Sequence, residues 1–120
     1  MPELGARTIA PKELAARLGQ GERFALFDLR REQDFARSHL RRSRAVAVEQ
    51  LDAEIAAVPE GQSVVLICRT GELSKEEAKR RKGAGRPVMA LEKGLLAWEG
   101  SGFSTFNNRE EEEADRSGAA

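Results

Sequence analysis

Short apolar segments alternate along this chain with longer stretches in which apolar residues recur every three or four positions. The short segments predict β-strands, and the longer periodic stretches predict helices. The predicted strands cover residues 8–9, 24–29, 45–48, 64–67 and 88–91. Strands that alternate with helices in this way are typical of an α/β fold, so we expect one sheet covered by helices.

The helix boundaries are marked by proline, glycine and polar capping residues. Pro11 opens the first predicted helix, where its missing N–H costs nothing, and the helix ends at Gly19. Further helices are predicted over residues 32–37, 51–58 and 95–98. Ser74 and Glu77 have the spacing of a capping box, which predicts that another helix starts at Ser74 and runs to about residue 83.

The strand with the strongest signal is the uninterrupted apolar run Val64, Val65, Leu66 and Ile67. A strand that lies inside a parallel sheet is covered on both faces, and it therefore lacks the alternation of apolar and polar residues. We expect this strand to lie at the centre of the sheet.

The composition permits one small domain followed by a tail. Leu, Ile, Val and Phe make up 26 of the 120 residues, and the 20 basic residues balance the 20 acidic ones. A chain without net charge does not repel itself, which favours folding despite the modest apolar content. From residue 107 onward no apolar residue is larger than alanine. We therefore expect a single domain over residues 1–106 and a disordered charged tail over residues 107–120.

The net charge and the length of the apolar runs also restrict where the protein is expected to be located and what it is expected to bind. Balanced charge argues against nucleic-acid binding, which usually shows a basic excess. The longest apolar run, residues 64–68, is too short for a membrane span, and the N-terminus lacks a signal-peptide pattern, so we expect a cytoplasmic protein without a membrane partner. Cys68 is the only cysteine and His39 the only histidine. We expect no disulfide, no metal site and no cofactor.

The segment that carries candidate chemistry follows the central strand and reads Cys68-Arg69-Thr70-Gly71-Glu72-Leu73-Ser74. In open α/β sheets, ligands bind at the ends of the strands that precede helices. Backbone N–H groups at such a turn form an anion site, and together with Arg69 they would favour the reactive thiolate of Cys68. The alternative is that Cys68 is a small buried hydrophobic residue.

Three motifs, taken together, resemble the rhodanese family of sulfurtransferases over about residues 7–104. The first is Phe27-Asp28-Leu29-Arg30 followed by Phe35 and Ser38-His39-Leu40, the second is Cys68-Arg69-Thr70-Gly71, and the third is Leu91-Glu92-Lys93-Gly94-Leu95-Leu96-Ala97-Trp98. The resemblance implies a three-layer α/β/α sandwich with a mostly parallel five-stranded sheet. Asp28 and Arg30 are expected to brace the sheet edge by hydrogen bonding.

The resemblance also implies a mechanism. Cys68 would take a sulfane sulfur from thiosulfate or another persulfide donor and pass it to cyanide or to a thiol, which could belong to a partner protein. The substrate-binding residues would be Arg69, Thr70, Gly71, Glu72, Leu73 and Ser74, with their backbone N–H groups around the persulfide.

Two residues depart from the family pattern, in which the positions after the loop glycine are small, polar or basic. Glu72 would oppose an anionic donor if its carboxylate faced the pocket. Leu73 cannot donate a side-chain hydrogen bond to a sulfonate and could instead favour a less polar donor or a protein persulfide. An alternative function is therefore a catalytically weak rhodanese-like module for interaction or sulfur relay.

A phosphatase of a related fold is a further alternative. Such enzymes need an arginine six positions after the cysteine to bind the phosphoryl oxygens. Ser74 occupies that position here, which argues against phosphatase activity.

Overall fold

The computed structural model describes residues 7–117 as five strands and six α-helices. The predicted alternation is confirmed, and most boundaries agree with the predicted ones to within two residues. The strands are β1 Arg7–Ile9, β2 Phe24–Asp28, β3 Arg44–Ala45, β4 Ser63–Ile67 and β5 Val88–Leu91. The helices are α1 Pro11–Gly19, α2 Glu32–Arg37, α3 Leu51–Ala56, α4 Glu72–Arg80, α5 Gly94–Gly100 and α6 Asn108–Arg116.

The strands form one parallel sheet in the order β1-β5-β4-β2-β3. The prediction that residues 64–67 form the central strand is confirmed, because β4 pairs with β5 on one side and with β2 on the other. Asp28 of β2 lies beside Ile67 of β4. The carboxyl ends of these two strands therefore lie together, and Cys68 follows directly after Ile67.

Helices cover both faces of the sheet, which confirms the predicted three-layer sandwich. Val64 and Leu66 pack with Leu51 and Ile55 of α3 and with Ala78 of α4 in one apolar cluster. On the opposite face a second cluster joins β4 to α1 and α5, through Val65, Ile67, Leu14, Leu95 and Trp98. No helix among residues 7–117 combines the length and the apolar content needed to cross a lipid bilayer.

The third strand is shorter than its sequence pattern predicts. Residues 45–48 were expected to form it, but β3 covers only Arg44–Ala45, and a 3-10 helix follows at Val48–Gln50. β3 is an edge strand that pairs with β2 at two positions. Because the pairing with β2 ends at Ala45, the chain beyond it is not kept in the extended conformation.

The predicted capping box at Ser74 is wrong. α4 begins two residues earlier, at Glu72, and its N-cap is Gly71 in the left-handed conformation with φ 92°. Ser74 therefore lies inside the first turn, and the Glu77 carboxylate accepts a hydrogen bond from the Arg81 guanidinium at 2.7 Å. The helix also ends at Arg80, before the predicted residue 83.

The prediction of a disordered tail is wrong over Asn108–Arg116, which form α6. The helix has a capping box, because the Asn107 side chain accepts a hydrogen bond from the Glu110 N–H and the Glu110 carboxylate accepts one from the Asn107 N–H. Polar contacts with the domain replace the apolar burial that the segment lacks. The ends of the predicted domain and tail, residues 1–6 and 118–120, lie outside the described residues.

Candidate active site

Cys68 lies at the carboxyl end of the central strand, and only 6% of its surface is exposed. The chain then turns through Arg69, Thr70 and Gly71 into α4. A thiol that is almost covered can react only with a group that reaches the mouth of this turn. We call residues 68–74 the cysteine loop.

Two backbone N–H groups of the cysteine loop point at the sulfur. The Gly71 N–H donates to Cys68 Sγ at 3.1 Å and the Ser74 N–H at 3.4 Å. Both residues belong to the start of α4, where backbone N–H groups have no partner within the helix. These donors, with the positive end of the helix dipole, favour negative charge on the sulfur.

Two carbonyl groups of the same loop accept hydrogen bonds from the first turn of α5. The Leu95 N–H donates to the Cys68 carbonyl oxygen at 2.9 Å, and the Leu96 N–H donates to the Arg69 carbonyl oxygen at 3.1 Å. With these carbonyl groups bound to α5, the loop presents N–H groups and not oxygen atoms to Sγ. The orientation of the loop peptides thus depends on a helix that lies more than 20 residues further along the chain.

The N-caps of α4 and α5 touch each other. A β-carbon placed on Gly71 would lie 2.9 Å from the backbone nitrogen of Lys93, the residue before α5. Only glycine fits at this contact, and its φ of 92° also favours glycine. Lys93 itself has a φ of 58°, which is uncommon for a residue with a side chain.

The predicted site residues divide into buried and exposed groups. Gly71 and Ser74 are buried beside Sγ, whereas Arg69, Thr70, Glu72 and Leu73 are exposed at the mouth of the loop. Arg69 and Glu72 form no ion pair with any residue between 7 and 117. Their charges are therefore available to an approaching ligand.

The hydroxyl group of Ser74 is fully buried, yet Oγ has no hydrogen-bond partner in the described chain. A buried hydroxyl without a partner is costly, by about 1–3 kcal/mol, and is uncommon. Its own backbone N–H is one of the two donors to Cys68. The residue that carries this unpaired hydroxyl group therefore contacts the candidate nucleophile through its backbone.

The predicted brace at the sheet edge is confirmed. The Arg30 guanidinium binds the fully buried Asp28 carboxylate with Nε at 3.0 Å and with a terminal nitrogen at 2.9 Å. The same guanidinium donates to the Ser38 carbonyl oxygen at 2.6 Å. This pair fixes the end of β2, which lies beside the end of β4 and hence beside Cys68.

The only histidine has a structural environment that the sequence did not predict. His39 is fully buried, with Nδ1 2.6 Å from the Phe35 carbonyl oxygen and Nε2 2.7 Å from a Glu111 carboxylate oxygen. Both ring nitrogens thus lie at hydrogen-bond distance from an oxygen atom. The Glu111 carboxylate also accepts a hydrogen bond from the Arg42 N–H. His39 attaches α6 to the domain.

Sequence reasoning missed the part that α5 plays in the site. Its residues belong to the third motif, but nothing in the local pattern indicates that the N–H groups of Leu95 and Leu96 bind the carbonyl groups of the cysteine loop. The exposure of Leu96, which is 47%, was also missed, because a leucine in a short apolar helix is normally assigned to the core. The available signal was Gly94, because a glycine at the start of a helix can mark a close approach of another backbone segment.

Comparisons with known proteins agree with this architecture. Residues 10–101 match the model of the rhodanese-like domain family. An uncharacterised protein of Synechocystis is 30% identical over 103 residues, which cover 85% of this chain and 57% of that protein. The probable adenylyltransferase/sulfurtransferase MoeZ of Mycobacterium tuberculosis is 30% identical over 94 residues, which cover 76% of this chain and 24% of that protein.

A solved structure gives the same result. The thiosulfate sulfurtransferase of Pseudomonas aeruginosa superposes with a TM-score of 0.73 at 28% identity, covering 89% of this chain and 21% of that one. This chain therefore spans between about a fifth and three fifths of the length of these three proteins, and distant relatives include sulfurtransferases. Because the family model covers most of the chain, the protein belongs to the rhodanese-like domain family.

Proposed function

We propose that this protein is a sulfurtransferase that carries a sulfane sulfur as a persulfide on Cys68. The observation that carries the proposal is the pair of N–H groups, from Gly71 and Ser74, that donate to Sγ at the end of the central strand. A neutral structural thiol has no need of two such donors, whereas a thiolate or a persulfide anion is stabilised by both.

The first half-reaction loads the sulfur. The Cys68 thiolate attacks the outer sulfur of thiosulfate, a new S–S bond forms, and the S–S bond of thiosulfate breaks with release of sulfite. In the second half-reaction cyanide or a thiolate attacks the outer sulfur of the persulfide. With cyanide the products are thiocyanate and the Cys68 thiolate, so the total charge is conserved in each step.

The other loop residues take supporting roles in this proposal. Arg69 supplies positive charge at the loop mouth, and Thr70 lines that mouth beside it. Glu72 and Leu73 set the preference for the donor. The Ser74 hydroxyl, which lacks a partner in the sulfur-free protein, donates a hydrogen bond to the persulfide. The outer sulfur adds an acceptor next to the Ser74 backbone, which supports this assignment.

Intact-protein mass spectrometry tests the proposal. Wild type and Cys68→Ser are incubated with thiosulfate, and separately with a persulfide donor, and each sample is measured before and after cyanide is added. We expect one added sulfur on wild type only, which cyanide removes as thiocyanate. Sulfur on the Cys68→Ser variant would contradict the proposed carrier.

The alternative is a rhodanese-like module for interaction or relay that has lost thiosulfate activity. The departures at Glu72 and Leu73 are the observation in its favour. If neither donor adds sulfur to wild type while circular dichroism shows that the protein is folded, the alternative is the better description. Loading by the persulfide donor alone would instead indicate a sulfurtransferase with a changed donor.

A further inference from the structure

The exposed large apolar side chains within residues 7–117 are Leu73, at 43%, and Leu96, at 47%. Leu73 belongs to α4, which starts within the cysteine loop, and Leu96 belongs to α5, whose first turn contacts that loop. Leu73 is the second residue of α4, and Leu96 is the third residue of α5. Single exposed leucines need no explanation, but two that flank one reactive sulfur are a feature of that site.

Backbone contacts bring together the helix starts that carry the two leucines. The N-caps of their helices, Gly71 and Lys93, are in contact, and the Leu96 N–H binds the Arg69 carbonyl oxygen. Each leucine therefore lies within one helical turn, about 5.4 Å along its axis, of the contact between the helices. We call the exposed side chains of Arg69, Glu72, Leu73, Lys93 and Leu96 the rim of the site.

The charges of the rim limit what it can bind well. Arg69 and Lys93 are positive and Glu72 is negative, which gives a net charge of +1, and none of the three has an ion-pair partner among the described residues. A dianion such as thiosulfate would meet the Glu72 carboxylate and could not use the leucines. A donor with a single negative charge and an apolar organic group would need less positive charge for binding. Its apolar group would also cover the leucine surface that is otherwise exposed to water.

We propose that Leu73 and Leu96 select sulfur donors in which the sulfane sulfur is attached to an apolar organic body. An aryl thiosulfonate represents this class. The inference rests on the proposed persulfide on Cys68. The thiolate would attack the outer sulfur of the thiosulfonate, forming the persulfide and releasing the aryl sulfinate, with one negative charge on each reactant and on each product.

The experiment compares two donors that differ only in the organic body, benzenethiosulfonate and methanethiosulfonate. The ratio of their kcat/KM values is measured with cyanide as acceptor. The same two donors are also reacted with N-acetylcysteine, which gives the ratio set by chemical reactivity alone. We expect the wild-type ratio to exceed this reference about tenfold.

Substitutions test whether the two leucines cause the preference for the aryl donor. Leu73→Ser and Leu96→Ser should each lower the ratio about three- to fivefold, which corresponds to the loss of about 30 Å² of apolar contact. Leu73→Met and Leu96→Met are the matched controls, because methionine keeps an apolar side chain of similar size, and they should keep most of the ratio. Both positions are exposed, so the serine variants should remain folded, which circular dichroism can verify.

The outcomes separate this inference from the proposed function. If wild type forms a persulfide but its ratio equals that of N-acetylcysteine, or if both serine variants change the ratio less than twofold, the selectivity inference is wrong and sulfur transfer stands. If no donor, thiosulfate included, adds sulfur to Cys68, the proposed function itself is wrong.

Discussion

Gly94 and Cys68 are so close that a β-carbon on Gly94 would lie 2.5 Å from the carbonyl oxygen of Cys68. The Arg69 carbonyl oxygen is equally close to that point, and the φ of Gly94 is 67°. Both obstacles are backbone atoms of the cysteine loop, so they cannot move aside as the end of a flexible side chain can. The first turn of α5 thus packs closely against the backbone of the loop that holds the Cys68 sulfur.

The substitution Gly94→Ala should therefore damage both stability and sulfur loading. We expect it to lower the free energy of unfolding by about 2–4 kcal/mol, from the left-handed backbone and the steric clash together. Urea denaturation measures the stability, and mass spectrometry with thiosulfate measures the loading. Gly100→Ala is the matched control in the same helix, because nothing lies within 4 Å of its β-carbon position. A similar loss in both variants would show that the contact with Cys68 is unimportant.

Ser74→Ala should affect the stability of the sulfur-free protein and of the sulfur-loaded protein differently. The hydroxyl has no partner in the sulfur-free protein, so its removal should leave the stability unchanged or higher. If the hydroxyl donates to the persulfide, sulfur loading should raise the melting temperature of wild type more than that of Ser74→Ala. Thermal unfolding of each protein with and without bound sulfur measures this difference, and equal increases would argue against the assigned role.

Ser43→Ala provides a control, because it also removes a buried serine hydroxyl group, but one that has a hydrogen-bond partner. Its buried hydroxyl donates to the Leu40 carbonyl oxygen at 2.6 Å. Removal of that bond should cost about 1 kcal/mol in both states, and the effect of sulfur loading should match that of wild type.

Glu111→Ala should detach α6 from the domain. The substitution leaves the Arg42 N–H without its acceptor and removes the contact with Nε2 of the buried His39, which should cost about 1–3 kcal/mol in urea denaturation. Glu112→Ala removes a neighbouring carboxylate that is exposed and has no ion pair in the described chain, and its effect should be within about 0.5 kcal/mol. Equal effects would mean that the His39 contact contributes nothing to stability.

Asp28→Ala tests the brace at the sheet edge. It leaves the Arg30 guanidinium, which is 14% exposed, without its partner, and loss of one member of a buried ion pair typically costs about 3–5 kcal/mol. Glu22→Ala removes a carboxylate that binds Arg17 through two hydrogen bonds of 2.8 and 2.6 Å, but at the surface. Urea denaturation should show a much smaller change for Glu22→Ala, and the reverse order would contradict our description of the brace.

The surface pair also has a pH dependence. The hydrogen bonds from Arg17 lower the pKa of Glu22 below its ordinary value. A carboxylate with a lowered pKa stabilises the folded protein when it is ionised, so its contribution is present near neutral pH and disappears as the pH falls through the lowered pKa. An NMR titration of the Glu22 carboxyl carbon should show this lowered value in wild type and a normal one in Arg17→Ala.

Glu72→Arg should improve the use of thiosulfate, because it replaces a negative charge at the loop mouth with a positive one. The residue is exposed, so solvent weakens the effect, and we expect an increase in kcat/KM of about three- to tenfold at low salt that shrinks at high salt. Glu76→Arg makes the same change of charge one turn further along α4, and it should have less effect. Equal effects of the two variants would indicate that the overall charge of the protein determines the rate, and that the position of Glu72 at the loop mouth has no specific influence.

The sequence predicted the features that depend on local pattern. β4 was found because Val64–Ile67 is an unbroken apolar run, and the cysteine loop was found because it follows that run and precedes a helix. The brace between Asp28 and Arg30 followed from the family motif. All of these features involve residues that are close in the chain or that share a recognised motif.

The features that the sequence did not predict depend on contacts between distant residues. The tail was expected to be disordered because it lacks large apolar residues, but α6 is held by the pairing of Glu111 with His39, 72 positions away. Likewise, Ser74 matches a capping box locally, but the left-handed Gly71 starts the helix earlier. The two rim leucines lie near the same loop only because the starts of α4 and α5, which follow different strands, are in contact.

The position of β4 between β2 and β5 also affects how the protein opens. Its backbone amides should exchange with deuterium more slowly than those of the edge strands β1 and β3, because a central strand is released only when much of the sheet separates. Cys68 is the next residue after this strand. Local opening at the edges of the sheet, and fraying of α6, would therefore leave the position of the Cys68 sulfur unchanged.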